Sequence, residues 1–200
     1  MKLFLATGNK HKIEEIKAIF HENEVEIFSI LDGISIPEVV EDGKTFEENS
    51  QKKALEIAKY LNMMTVADDS GLCVDALGGA PGVYSARYSE EGTDEANNQK
   101  LIQNLKGIDN RKARFVSVIS FAKPDGEVFS FRGEVEGEIV DDRRGEFGFG
   151  YDPLFWVDGL GKTMSELTLA EKNQISHRSQ ALQKILPLLL EIIENERKFL

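Results

Sequence analysis

The sequence has only one cysteine, Cys73, and it has no long apolar run. A single cysteine excludes an internal disulfide and a metal site built from cysteine thiolates. No segment reaches the length of about 18 apolar residues that a membrane span needs. The apolar stretch 3–6 is too short for the core of a signal peptide. We therefore expect a soluble, cytoplasmic protein that has no membrane partner.

Basic residues are scarce relative to acidic ones, with 24 Lys and Arg against 35 Asp and Glu and a net charge of −11. Affinity for nucleic acid comes mainly from clustered Lys and Arg that release counterions, so we expect no nucleic-acid partner. A small anionic ligand would need a local basic pocket. The chain has no internal repeat or low-complexity linker, and its length suits a single domain over residues 1–200.

Short apolar runs alternate with amphipathic segments along the chain. Thr45 and Glu48 fit a capping box at the start of one amphipathic segment. Pro187 is expected to kink or split the last helix. The predicted strands are 3–6, 25–30, 63–67, 113–122 and 127–132, and the predicted helices are 13–20, 45–61, 93–106 and a long one from 176. This order favours an α/β fold, with a mixed twisted sheet flanked by helices.

Two adjacent acids, Asp68 and Asp69, follow the apolar run 63–67, where we expect a strand to leave the core. An ionised carboxylate that is buried without a partner costs roughly 3 to 5 kcal/mol, so these acids need a cation, hydrogen-bond donors or solvent. Mg²⁺ prefers one or two carboxylates together with phosphate oxygens and water, and Glu38 and Glu41 are further candidates. The alternative is an Asp-Ser-Gly turn in which one acid accepts backbone donors.

Cationic side chains crowd two predicted helix starts. TGNKHK places Lys10 and Lys12 at the first, and ISHRSQA places His177 and Arg178 at the second. The helix dipole favours acids at these positions, so a bound phosphate would explain both clusters. The alternative is an ordinary strand-to-helix turn with solvated lysines and a surface histidine.

Motifs for other chemistries fail on inspection. The segment GKT at 161–163 resembles the end of a P-loop, but Trp156 occupies the position of the first glycine. Ser70 lacks the surroundings of a G-x-S-x-G nucleophile. The segment FGFGYDP lacks the spacing of a dinucleotide-binding motif, and Phe149 and Tyr151 could equally be core residues. These absences favour a metal-activated water as the attacking group.

Six segments together resemble the inosine triphosphate pyrophosphatase family, also called the non-canonical purine nucleoside triphosphate pyrophosphatases. They are TGNKHK, TFEENSQKKA, ADDSGL, GGAPGVYSARY, FGFGYDPLF and EKNQISHRSQA, in this order over nearly the whole chain. The resemblance implies Mg²⁺-dependent hydrolysis of ITP, dITP and XTP to the monophosphate and pyrophosphate, which cleanses the nucleotide pool. It also implies a homodimer, and an elongated domain of two lobes with the active site in the central cleft.

The same resemblance implies roles for individual residues. Asp69 matches a metal-linked general base, and Glu41 is our choice for a second metal ligand, with Glu38 as the alternative. The implied substrate contacts are Thr7, Gly8, Asn9, Lys10, His11, Lys12, Lys53, Ser70, Phe149, Gly150, Tyr151, Asp152, Lys172, His177 and Arg178. Ser50 stands where the family usually has alanine, and it has no proposed catalytic role.

Three other functions remain open at the level of sequence. A nucleotide-binding regulator would keep the basic segments but would not need Asp69. A related Maf-like pyrophosphatase would act on dTTP, UTP or modified nucleotides. A structural dimerisation module would bind no nucleotide.

Overall fold

The computed structural model describes residues 2–20 and 25–198. Its strands are β1 Lys2–Leu5, β2 Glu26–Ser29, β3 Thr65–Val74, β4 Lys112–Ala122, β5 Val128–Ile139, β6 Phe155–Val157 and β7 Lys162–Thr163. Its α-helices are α1 Lys10–Phe20, α2 Phe46–Leu61, α3 Asp94–Asn104, α4 Leu169–Ile175 and α5 His177–Lys198. No helix in this part of the chain is long and apolar enough to cross a membrane.

The seven strands form one mixed sheet in the order β2-β1-β3-β4-β5-β6-β7. Strand β1 runs parallel to both β2 and β3, as expected for strands joined through helices. Strand β6 runs antiparallel to β5 and to β7. The predicted α/β class, with a mixed sheet and flanking helices, is therefore confirmed.

The described residues fall into two compact units. The first comprises residues from 1–69, 117–133 and 178–200, and the second comprises 70–116 and 134–177. Strands β3, β4 and β5 each contribute residues to both units.

Helices cover both faces of the sheet in the first unit. Side chains alternate between the faces of a strand, and the residues of β1 accordingly divide between two buried clusters. Leu3 and Leu5 pack in a cluster with residues of α1 and α5. Phe4 packs in the other cluster with residues of α2. Helices α1 and α5 therefore cover one face of β1, and α2 covers the other.

The second unit has its own apolar core. Leu101 and Leu105, from α3 and the residue that follows it, pack there with residues of β3, β4, β5 and β6. Tyr151 and Leu154 join this core from the segment before β6. The segment FGFGYDP is therefore attached to a packed core at its carboxyl end.

One local expectation is wrong, and a second is wrong in part. Strand β3 does not end at the acids but continues through Ser70 to Val74, so the Asp-Ser-Gly turn does not form. Pro187 was expected to kink or split the last helix; it lies inside α5, so the split does not occur. Proline costs a helix interior about 3 kcal/mol, and burial of Leu182, Ile185 and Leu189 on the same helix offsets that cost.

Candidate active site

Asp68 lies at the centre of a buried ion-pair network in the first unit. Its carboxylate accepts a hydrogen bond from Ser117 Oγ at 2.6 Å and lies 2.5 Å from Lys12 Nζ. Arg178 Nη2 lies 3.3 Å from it, and the same guanidinium pairs with Glu15. Burial alone would raise the pKa of Asp68, but the charges of Arg178 and Lys12 hold it well below its usual range. Asp68 is therefore ionised and paired.

Asp69 has a different environment, although it is only 7% exposed. Asn49 Nδ2 donates to its carboxylate at 2.9 Å. Burial raises the pKa of Asp69 to about 6; Asn49 and Lys53 oppose this rise, and the negative charges of Asp68 and Glu41 reinforce it. A carboxylate with a near-neutral pKa is suited to act as a general base. Neighbouring acids whose pKa values are pushed apart are typical of catalytic sites.

The start of α2 positions Asn49 against Asp69. Thr45 Oγ1 accepts from the backbone N–H of Glu48, and the Glu48 carboxylate accepts from the Thr45 N–H, so the predicted capping box is confirmed. Asn49 Oδ1 also accepts from the Gly43 N–H at 2.8 Å. A Cβ on Gly43 would lie 2.6 Å from that oxygen, so the close approach requires glycine. Asn49 thus ties the loop before α2 to the candidate base.

A cavity of about 510 Å³ in the first unit brings several of the predicted site residues together. Thr7, Gly8 and Lys53 line it with both candidate second metal ligands, Glu38 and Glu41. Lys53 Nζ lies 2.5 Å from Glu41 Oε1. The remaining lining is mostly apolar, from Ala6, Ile30, Ile34, Ser35, Ile36, Pro37, Val39 and Ile57. The cavity therefore has acids and a lysine set against an apolar wall.

The turn before α1 satisfies several of its own backbone donors. Asn9 Oδ1 accepts from the N–H groups of His11 at 3.0 Å and Lys12 at 3.2 Å. Thr7 Oγ1 accepts from the Asn9 N–H at 3.2 Å. Free backbone N–H groups at a helix start are the usual phosphate donors, but these three N–H groups are paired within the turn. An anion at this turn would rely more on the side chains of Lys10 and Lys12.

The donor set fits a cation that is shared with a phosphate ligand. The described residues contain no group of three or more His, Cys, Asp or Glu side chains that could hold a metal. Glu41 is close enough for its charge to raise the pKa of Asp69, and a cation at these two carboxylates would relieve that repulsion. Mg²⁺ commonly binds one or two carboxylates and completes its coordination with phosphate oxygens and water. Glu38 lines the same cavity as Glu41.

In the second unit, the buried Asp152 and Lys172 contact the half-buried Phe149. Asp152 Oδ2 accepts from the Phe149 N–H at 3.0 Å and from Lys172 Nζ at 2.7 Å. Lys172 Nζ also lies 4.9 Å from the centroid of the Phe149 ring. Lys172 lies on α4, whose start is capped by Thr168. The ion pair between Asp152 and Lys172 therefore helps to hold the Phe149 ring in position.

The other predicted substrate contacts in the second unit include Tyr151, His177 and Ser70. The Tyr151 ring is buried in the core, and its hydroxyl donates to the Ser85 carbonyl at 2.8 Å. His177, at the start of α5, stacks on Phe115 with ring centroids 4.9 Å apart. Ser70 is half-buried within β3. Tyr151 is thus a core aromatic, which the sequence had left open.

Sequence reasoning missed three residues that contact the paired acids or their partners. Glu15 and Asn49 are buried polar side chains on the apolar faces of α1 and α2. A polar residue at an apolar position of a helical repeat was a detectable signal, because such groups need a buried partner. Ser117 lies in the almost entirely buried strand β4, where its apolar neighbours gave no comparable signal.

The protein is of the mixed α/β class, and its candidate site contains two adjacent carboxylates, Asp68 and Asp69. Comparison with known proteins identifies its family. The Ham1 family model matches residues 3–188. A protein of Desulfotalea psychrophila named dITP/XTP pyrophosphatase is 49% identical over 184 residues, which are 92% of this chain and 82% of that protein. An Exiguobacterium protein of the same name is 51% identical, with 92% and 95% covered. The chain belongs to the Ham1 family.

Solved structures agree with this assignment. The Ham1 protein of Staphylococcus aureus matches with a TM-score of 0.83 and 46% identity, covering 98% of this chain and 100% of that chain. A HAM1 protein of Coxiella burnetii matches with a TM-score of 0.87 and 38% identity, covering 96% and 99%. The family identification made from the six sequence segments is therefore confirmed.

Proposed function

We propose that this protein is a nucleoside triphosphate pyrophosphatase that hydrolyses ITP, dITP and XTP to the nucleoside monophosphate and pyrophosphate. Its relatives named dITP/XTP pyrophosphatase support the reaction class. The observation that carries the proposal is the contrast between two neighbouring acids. Asp68 is held ionised by cations, whereas the pKa of Asp69 is raised to about 6.

Asp69 is the proposed general base. With a pKa of about 6 it is mostly ionised at neutral pH and is more basic than an ordinary carboxylate. It accepts a proton from the water that attacks between the α and β phosphates. The new P–O bond to this water forms as the bond that links the α and β phosphates breaks, and the electron pair leaves with the pyrophosphate. Asn49 holds the carboxylate in place during this step.

Lysines bind the triphosphate in this proposal. Lys53 lines the cavity that also contains Thr7, and Lys12 lies at the start of α1 beside Asp68. Their charges offset the negative charge that develops on the leaving pyrophosphate. The other proposed phosphate contacts at the same turn are Gly8, Asn9, Lys10 and His11.

We propose Mg²⁺ as the metal, held by Asp69 and Glu41, with Glu38 as the alternative ligand. When bound, Mg²⁺ would supply charge neutralisation at the phosphates and lower the pKa of a bound water. Glu41 is preferred because its negative charge raises the pKa of Asp69, which places the two carboxylates close enough to share a cation.

The segment 149–152, with Ser70, His177 and Arg178, supplies the proposed contacts to the base and its surroundings. Phe149 offers a stacking face beside Lys172, and Gly150, Tyr151 and Asp152 continue the same segment. His177 and Arg178 are proposed donors to the 6-oxo group of hypoxanthine or xanthine, because the 6-amino group of adenine would place donor against donor. Such a mismatch can reject an analogue by about 10⁴-fold. Ser70 is a further proposed contact.

The setting of the enzyme is also a proposal. We propose that it acts on the cytoplasmic nucleotide pool as a homodimer, without nucleic-acid or membrane partners. The net charge of −11 supports the absence of a nucleic-acid partner.

Pyrophosphate release from ITP, dITP, XTP, GTP, ATP and dTTP, each with Mg²⁺ and with EDTA, tests the proposal. We expect turnover of ITP, dITP and XTP far above that of the other substrates, and we expect EDTA to abolish it. A preference for dTTP would point to a Maf-like activity instead. A folded protein that releases no pyrophosphate from any substrate would refute the proposal.

A further inference from the structure

Helix α3 holds both polar groups of the Gly150 peptide backbone. The Gly150 N–H donates to Asp94 Oδ2 at 2.7 Å. The Gly150 carbonyl accepts from Asn98 Nδ2 at 2.8 Å. Asp94 and Asn98 are four residues apart and therefore lie on the same face of the helix. One helix face thus fixes the position and the orientation of this glycine.

The segment needs such restraint because two of its glycines have left-handed backbone conformations. Gly150 has a φ of +61°, a backbone conformation that favours glycine. A Cβ there would meet no atom within 4 Å, so a lack of space is not the reason for glycine at this position. Gly148 has a φ of +80°, and a Cβ there would lie 2.2 Å from Asp152 Oδ2. Glycine loses more conformational freedom on ordering than any other residue. Hydrogen bonds to both sides of Gly150 select one conformation from the many that are available.

The environment of Asn98 argues against a role in packing alone. Asn98 is 2% exposed, and within the described chain its Oδ1 atom has no hydrogen-bond partner. Burial of an amide oxygen without a partner is unfavourable, and leucine has a similar volume without that penalty. The bond from Nδ2 to Gly150 is therefore the interaction that distinguishes Asn98 from an apolar residue here.

We infer that Asp94 and Asn98 are positioning residues for the nucleobase of the substrate. They act through the Gly150 peptide, which follows Phe149 and precedes Tyr151, and thereby set the plane that the Phe149 ring offers to a base. This inference rests on the proposed function, in which the segment 149–152 binds the base. Neither residue is assigned a contact with the reacting atoms, so they affect base binding and not the chemical step.

The test compares Asp94→Ala and Asn98→Leu with the wild type, using ITP and XTP with Mg²⁺. We expect KM to rise about tenfold for each variant, as for loss of one net hydrogen bond, while kcat changes less than about twofold. Asp94→Asn keeps an oxygen that can accept from the Gly150 N–H, so it should restore a wild-type KM. Glu95→Gln is the matched control, since Glu95 also lies in the first turn of α3 but contacts Gln99 and Arg143.

Product inhibition adds a measurement that a general loss of stability would not reproduce. The inhibition constant of IMP, which carries the base, should rise about tenfold in Asp94→Ala and Asn98→Leu. The inhibition constant of pyrophosphate, which lacks the base, should stay at the wild-type value. If Asp94→Ala fails to fold, Asn98→Leu carries the test.

Outcomes separate this inference from the proposed function. If the wild type releases no pyrophosphate from ITP or XTP, the proposed function is wrong, and the positioning role falls with it. If the wild type is active but Asn98→Leu and Asp94→Ala keep its KM and its IMP inhibition constant, only the positioning role is overturned. Equal weakening of IMP and pyrophosphate would also overturn it, because the effect would not be specific to the base.

Discussion

Asp68 and Asp69 are adjacent in sequence, yet their surroundings oppose each other. Arg178 and Lys12 stabilise the ionised form of Asp68 despite its burial. Burial dominates at Asp69, where the donor from Asn49 offsets only part of the cost. A buried charge without a full partner is unfavourable, so ionised Asp69 destabilises the folded state. A bound cation would offset that destabilisation. We therefore expect that replacing each acid with a neutral residue changes the stability of the folded protein in opposite directions.

Replacing Asp69 with asparagine should increase the stability of the protein without metal at pH 7.5 while removing activity. The pKa of Asp69 is raised from 3.8 to about 6, so the folded state binds more protons than the unfolded state between these values. The free energy of unfolding therefore falls as pH rises through that window, by about 3 kcal/mol in total. Urea unfolding in EDTA should show Asp69→Asn to be more stable at pH 7.5 by about 1 to 3 kcal/mol.

The same variant should be nearly as stable as the wild type at pH 4, where most of the wild-type Asp69 carboxyl is protonated. Turnover of ITP should fall by about 10² to 10⁴-fold, as for loss of a general base. A variant that is less stable than the wild type at pH 7.5, or one that keeps full turnover, would contradict these assignments.

Replacing Asp68 with asparagine should have the opposite effect on stability. The variant leaves the buried Arg178 without one of its carboxylates, and breaking a buried ion pair from one side costs about 3 to 5 kcal/mol. The pKa of Asp68 is depressed, so its stabilisation is present above the unfolded value of 3.8 and is lost as pH falls through the folded pKa. Urea unfolding at pH 7.5 should show the loss. An Asp68→Asn protein with wild-type stability would show that the network contributes little.

Single elements were predictable where a local pattern determines them. The capping box of Thr45 and Glu48 was visible in sequence and begins α2 as expected. The end of β3 was placed too early, because two acids resemble the end of a buried strand when their partners are unknown. Those partners are distant in sequence: Ser117 is 49 residues from Asp68, and Arg178 is 110 residues from it. Likewise, Pro187 was judged by its local cost, while the packing of α5 decided the outcome.

Helix α2 carries Asn49 and Lys53, and its cap should contribute measurably to stability. Thr45→Ala removes the oxygen that accepts from the Glu48 N–H at 3.1 Å. We expect a loss of about 0.5 to 2 kcal/mol, measured by thermal or urea unfolding. Thr45→Ser keeps the oxygen and should lose much less. Equal losses for both variants would mean that the methyl group, not the cap, stabilises this end of α2.

For the molecule as a whole, the sequence predicted the fold class and the family, but the geometry of the candidate site only in part. Motif residues such as Asp69 and Lys53 could be chosen because their chemistry is visible in their type and spacing. Asn49 and Asp94 could not, because their roles come from hydrogen bonds to residues 20 and 56 positions away. Contacts of this kind depend on the tertiary fold, which local periodicity does not encode.

The two compact units are built on shared strands, and this predicts how the protein unfolds. Each of β3, β4 and β5 has residues in both units, so loss of either unit interrupts strands that the other unit needs. We therefore expect one cooperative transition in urea. Two probes can follow the units separately. The sole tryptophan, Trp156, lies in the second unit. The two longest α-helices among the described residues, α2 with 16 residues and α5 with 22, lie in the first unit apart from His177 at the start of α5.

Fluorescence of Trp156 should therefore report the second unit, and far-ultraviolet circular dichroism should report mainly the helices of the first. Coincident midpoints and slopes from the two probes would show that the shared strands couple the units into one folding unit. A Trp156→Phe protein with an unchanged dichroism midpoint is the control for the effect of the probe itself. Two separate midpoints would mean that each core is stable without the other, and that continuous strands alone do not enforce cooperativity.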